Sequence, residues 1–151
     1  MSQKRARIAK VVNHREQELD KRVAELGAAR AEAARREAAA EAERKKLEKA
    51  AEERLALSAN AMSAADWRAA NEWMQSRALS HEVATREVAS AAKHVEQKQK
   101  HVLSARQALK GVELYDERLK KEQLRAEERA DQRLQDELAR RVGRGSGGGQ
   151  S

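Results

Sequence analysis

Cysteine, proline and phenylalanine are absent from the chain, and aromatic residues make up only 2% of it. Each absence excludes something. Without Cys there is no disulfide, no thiolate nucleophile and no Cys-ligated zinc or iron–sulfur site, which fits a reducing compartment. Without Pro the strongest helix breaker is missing, since one interior Pro costs about 3 kcal/mol. The scarcity of bulky rings leaves too little apolar material for a layered core in 151 residues. Apart from Gly27 and Gly111 the glycines lie in the last residues, so there is no Gly-rich phosphate loop. No stretch approaches the roughly 20 apolar residues that span a bilayer. The basic start, Met1 to Lys10, leads into no apolar signal segment. These features together predict a cytoplasmic protein.

Charged residues make up 38% of the chain, and Ala, Glu, Arg, Lys and Leu dominate its composition. Low hydropathy and high charge are also a composition of disordered chains. Here, however, acids and bases are interspersed and good helix formers prevail, which favours long helices. The formal net charge of +7 suits acidic partners, whether nucleic acid, anionic lipid or an acidic protein surface. Lys4, Arg5, Arg7, Lys10 and Arg15 all precede the first acid, Glu16, so positive potential concentrates at the N-terminal end.

Apolar residues recur in heptads. In the first part of the chain one row reads Val12, Leu19, Leu26, Ala33, Ala40 and Leu47. The row three residues earlier, Ala9, Glu16, Val23, Arg30, Glu37, Arg44 and Ala51, is expected to accompany it and is mostly polar, so the seam is narrow. The second part is stronger. One row is Trp67, Met74, His81, Val88, Val95, Val102 and Leu109, and its companion runs Ala70, Arg77, Ala84, Ala91, Lys98, Ala105, Val112, Leu119 and Ala126. Beyond it Leu134 and Leu138 mark a smaller apolar stripe reaching Val142.

Between the two patterns, residues 58–66 have low charge density, and Ser63 stands three residues before Asp66, the spacing of a helix capping box. The predicted fold is all-α: helix one over 1–57, a connecting turn over 58–66, helix two over 67–142, and a disordered Gly-rich tail over 143–151. The turn folds the helices into an antiparallel coiled-coil hairpin. Antiparallel pairing then sets the start of helix one beside residues near 120 and leaves the end of helix two projecting. Acid-first pairs at i, i+4 recur on the outer faces, among them Glu18 and Arg22, Glu32 and Arg36, Glu41 and Lys45, Glu82 and Arg86, Glu96 and Lys100, and Glu117 and Lys121. Each adds only about 0.2–0.5 kcal/mol.

Chemistry finds little footing. No pair among His14, His81, His94 and His101 has the i, i+4 spacing with a flanking Glu that holds zinc, and solvated imidazoles are the simpler reading. Carboxylates on exposed helices lack the burial that prepares an acid and base pair. The expectation is a protein with no catalytic residues, metal or cofactor. The distinctive cluster is Met62, Trp67, Trp73 and Met74, which places both tryptophans at the turn. Trp67 and Met74 continue the seam and would staple the turn, whereas Trp73 lies off the row as an exposed contact.

The segment Glu127 to Arg141 resembles the end of the flagellar export protein FliJ and of its injectisome counterpart YscO (SctO). Gln132, Asp136, Glu137, Ala139 and the Arg140-Arg141 pair match the family's Gln-Lys-x-x-Asp-Glu-x-Ala-x-Arg-like ending, with Arg133 where Lys is common. The motif covers about 15 residues, and size, paired helices, central turn and basic start agree over nearly the whole chain. The Ala-rich middle of helix one and the Gly-Ser tail depart from the family, and this variability leans toward the injectisome branch. The resemblance implies a non-catalytic stalk of a type III export apparatus, cytoplasmic and peripheral to the membrane. Its terminal end enters the hexameric export ATPase through Gln132, Asp136, Glu137, Arg140 and Arg141. The hairpin tip, with Trp67, Trp73 and Met74, faces the membrane export gate, and family members also bind export chaperones.

Other readings are compatible with the residues. A basic coiled coil can bind nucleic acid, although acids are interspersed and no specific DNA-binding module is present. If residues 58–66 were helical, one continuous helix could dimerise as a scaffold. An interfacial membrane helix is opposed by the small apolar payload of the seam.

Overall fold

The computed structural model describes residues 2–60 and 62–147. Two helices account for nearly all of them: α1, Ser2–Ala59, and α2, Ala64–Gly147. No described residue has a positive φ. Helix α1 stops where small polar side chains compete for its backbone. Ser58 Oγ donates to the Leu55 carbonyl at 2.7 Å, and the Asn60 N–H closes on the Leu57 carbonyl at 3.3 Å. The chain re-enters helix at the expected cap. The Asp66 N–H donates to Ser63 Oγ at 3.1 Å, and the Trp67 N–H reaches the Ser63 carbonyl at 3.0 Å. The side-chain bond satisfies an amide left over by the first turn, and Asp66 itself puts a negative charge there. Helix α2 thus begins at Ala64 and carries on to Gly147, past the boundary expected at Val142, while residues 148–151 lie outside the described ones.

The contacts group into two units. One comprises Met1–Gln17 with Arg106–Ser151, and the other Glu18–Ala105. In the second unit the helices run antiparallel. As the α1 member of each cross-helix contact advances through Glu25, Arg36, Glu43 and Arg54, its α2 partner retreats through Lys98, Glu87, Arg77 and Asn71. In the first unit Arg5 of α1 donates to Gln123 of α2 at 3.4 Å, the neighbour expected for the start of the chain.

The α2 seam follows its sequence pattern closely. From Ala70 to Leu119 every member of both heptad rows is buried or half-buried, and only Trp67 and Ala126 at the two ends are exposed. In α1 the row from Val12 to Leu47 is likewise covered. Its companion is not the one expected. Ala9 through Arg44 are exposed, and the second contact row lies three residues to the other side, with Ile8, Ala29 and Ala50 buried and Arg22 and Glu43 half-buried. A heptad row has a neighbour three residues away on either side, and here both candidates mix apolar with charged residues, so composition does not choose between them.

The core is thin. Its buried members are Ile8, Leu26, Ala29, Ala50, Ala84, Val102 and Leu119, nearly half of them alanine. Alanine contributes little buried area, so the few aliphatic residues carry the packing, each worth roughly 1.5–3 kcal/mol when fully covered. Val102, 4% exposed, and Val83, 53% exposed, offer a direct comparison on α2. Val102→Ala should lower unfolding stability by about 1.5 kcal/mol, two methylene equivalents at roughly 0.8 each. Val83→Ala should leave it nearly unchanged. Urea denaturation followed by circular dichroism checks both, and equal losses would mean that the seam is not where the packing lies.

Candidate interaction surfaces

The outer faces are laced with ion pairs. Glu32 and Arg36 meet at 2.9 Å, Glu82 and Arg86 at 2.6 Å, and Glu96 and Lys100 at 3.9 Å, as the acid-first spacing predicts. Others choose different partners. Arg44 takes both Glu41, at 2.6 Å, and Glu48, and Lys120 takes Asp116 at 3.2 Å. Arg22 pairs with Glu25 at 3.1 Å, and Glu25 is also 3.4 Å from Lys98 on the facing helix. That three-residue bridge ties the helices together, as does Arg36 with Glu87 at 2.8 Å.

One cross-helix contact is incomplete. Arg77 and Glu43 approach to 3.9 Å, yet Arg77 Nε and Glu43 Oε2 are buried without a hydrogen bond. The same Arg77 guanidinium lies over the Trp73 ring, 4.5 Å from its centroid, so it divides itself between seam and surface.

At the turn, Trp73 is 52% exposed, and Met74 is half-buried in the seam. Trp67 stands on the seam row but is 44% exposed, with Arg54 of α1 stacked 5.5 Å from its ring centroid. Arg54 also donates to Asn71 at 3.3 Å. Trp73, Ala69 and Ala70 of α2 and Arg54 and Leu57 of α1 line an open groove of about 300 Å³. Arg54 was not foreseen as part of this surface. It occupies the heptad position after Leu47, where a charge reads as the end of the seam, and the hint was the presence of two indole rings with few apolar neighbours.

The second surface is the far part of α2. Every residue from Leu124 to Val142 is exposed. Leu134, Leu138 and Val142, 51–73% exposed, follow one another at i, i+4 and i+8 and form a stripe. Glu137 and Arg141 lie beside it on the helical wheel, whereas Gln132, Asp136 and Arg140 follow each other at four-residue spacing on the opposite side. Gln132 Nε2 donates to Asp136 Oδ1 at 3.3 Å. The five family-matched residues therefore share one bare helical segment but surround it.

Among the described residues, no group of three or more His, Cys, Asp or Glu is arranged to hold a metal ion, and no helix is long and apolar enough to cross a membrane. Two helices packed in opposite senses along heptad rows define a coiled-coil protein. Residues 3–148 match the family model described as "Flagellar FliJ protein", and the chain belongs to that flagellar export family. The match is to the flagellar protein, although the departures in sequence leaned toward the injectisome branch. No curated protein and no solved structure matches the chain significantly.

The carboxylate bridges make stability depend on pH. Arg22 holds the Glu25 carboxyl below its ordinary value of 4.5; partial burial opposes this and Lys98 adds to it. Arg35 lowers Glu32, and Arg44 lowers Glu41, in the same way. All three groups are lowered on folding, so their stabilisation is present above 4.5 and disappears as pH falls through the lower folded values. The melting temperature should therefore drop as pH falls below about 4.5, and Glu25→Gln should flatten part of that slope. Melting curves over pH 2–7, read at 222 nm, make the comparison; an unaltered slope in the variant would remove Glu25 from this account.

Proposed function

We propose that this protein is the non-catalytic stalk of a type III export apparatus, entering the hexameric export ATPase with its terminal end and coupling it to the membrane export gate. Family membership supports a role in export. The observation that carries the finer reading is the bare segment from Leu124 to Val142, which leaves the two-helix seam with all its side chains exposed. A single helix about 10–12 Å across fits a ring pore more readily than a pair does. Its Leu134, Leu138 and Val142 stripe supplies an apolar contact, and Arg140 and Arg141 beside Asp136 and Glu137 supply charge for orientation. In this reading Gln132, Asp136, Glu137, Arg140 and Arg141 contact the ATPase.

The turn faces the gate through Trp67, Trp73 and Met74, with both indole rings exposed and Met74 half-buried. Indole rings that keep one face in solvent are efficient contacts, burying much area for little lost side-chain freedom. Export chaperones are further partners on this reading, and the place of action is the cytoplasmic face of the export machinery.

Charge reversal of both Arg140 and Arg141 to Glu should weaken capture of the purified hexameric ATPase by about tenfold or more while helicity stays unchanged. Undiminished capture would sink the ATPase assignment. Trp73→Ala should weaken binding to the cytoplasmic domain of the gate protein by a comparable factor, with ATPase capture intact. If it instead lowers both together, or lowers the melting temperature sharply, the tryptophan is a structural staple and the tip assignment fails.

A further inference from the structure

The unit formed by Met1–Gln17 and Arg106–Ser151 contains a surface that the reading above does not use. Ile8 and Val11 of α1 and Ala108, Gly111, Val112 and Tyr115 of α2 line an open groove of about 400 Å³. Its floor is apolar, and Val11 and Tyr115 on its sides are 42% and 44% exposed. In the middle stands Gly111. A glycine inside a helix is destabilising relative to alanine. No packing within the chain calls for it, because a Cβ added there meets no atom within 4 Å. The missing side chain leaves bare backbone open to whatever lies in the groove.

The rim is mainly basic. Lys4, Arg7 and Arg15 stand four or seven residues from Val11 along the α1 face, and Arg118 follows Tyr115 by three on α2, against Glu18 and Glu122, each seven residues beyond Val11 and Tyr115. All four are exposed, and among the described residues none of their side chains is engaged in an ion pair or hydrogen bond, while the acid-rich parts of both helices pair extensively. From Gln3 to Arg15 the α1 segment itself carries no carboxylate.

We infer that this groove docks an acidic amphipathic helix of another protein, its aliphatic ridge lying over Gly111 and its carboxylates on Lys4, Arg7, Arg15 and Arg118. The surface is concave, so it receives a ridge and does not insert into a bilayer as a convex apolar helix face would. A nucleic acid would meet the rim but offers no aliphatic ridge for the floor. The bare segment of a second copy is a poor occupant, because its Asp131, Asp136 and Glu137 alternate with Arg129, Arg133, Arg140 and Arg141.

The test uses the full chain and a fluorescent model helix with Leu at the a, d and e positions of each heptad and Glu elsewhere. The same peptide with Lys for Glu is the control. By fluorescence anisotropy the acidic peptide should bind at least tenfold more tightly than the basic one. Gly111→Leu, whose Cβ meets no atom within 4 Å and which should melt no lower than the parent because it removes a helical glycine, should weaken binding at least tenfold. Arg7→Glu with Arg15→Glu should do the same. Equal affinity for the two peptides, no effect of Gly111→Leu, or no binding at all would overturn the inference. Binding of anionic phosphatidylglycerol vesicles or of duplex DNA without binding of the acidic peptide would also overturn it, replacing the occupant. Peptide binding is also measured on the Arg140→Glu, Arg141→Glu variant: loss of ATPase capture with peptide binding retained separates this surface from the ATPase contact, and failure of the ATPase reading leaves the groove's test unchanged.

Discussion

The contact between α1 and α2 is a seam of few side chains, many of them alanine. An alanine seam lets two backbones approach closely but removes little apolar area from water. Everything else adjusts to that limit. Neither helix has a wide apolar face, so each depends on its facing partner for order, in keeping with the general weakness of isolated helices in water. The charged outer faces keep the pair dissolved and add small increments of helix stability. The scarcity of aromatic rings follows as well, since a Phe or Tyr within the seam would force the helices apart; the two tryptophans stand at the turn instead.

Polar residues inside the seam do a different job. Lys98 and Arg77 occupy one α2 heptad row, and His81 and Gln123 the other. The Lys98 bridge to Glu25 and the Gln123 contact with Arg5 are directional, so they distinguish the observed alignment from one slipped by a heptad. Arg77 is the weakest of these. It lies within reach of Glu43 without a hydrogen bond and spends its charge on the Trp73 face, which links the packing of the seam to the state of an exposed ring.

Much of this was legible in the residues. The absence of Pro, the heptads from Ala70 to Leu119 and the Ser63 cap specify two helices and the break between them, because each is a local rule that packing has no cause to override. The α1 companion row was not legible. Ala9 to Ala51 and Ile8 to Ala50 are similar mixtures of small, apolar and charged residues, and only the facing helix decides between them. The extent of the bare segment followed from antiparallel arithmetic once the turn was located. The Trp67, Trp73 and Met74 cluster stood out by composition, but the participation of Arg54 did not, since stacking of a guanidinium on a ring depends on a rotamer and leaves no periodic trace. The groove around Gly111 was equally silent, as an isolated glycine within a heptad pattern reads as a tolerated defect until the space around it is known.

Where alanines such as Ala29, Ala50 and Ala84 line the seam its relief is low, and low relief means little shape-locking between the helices there. Between those stretches Leu26, Val102 and Leu119 hold the two backbones by shape, and the Glu25–Lys98 and Arg36–Glu87 bridges add direction to the axial alignment. Added salt screens such bridges and leaves buried alanine and valine contacts almost untouched. Ionic strength therefore acts on the directional part of the alignment and spares the part held by shape.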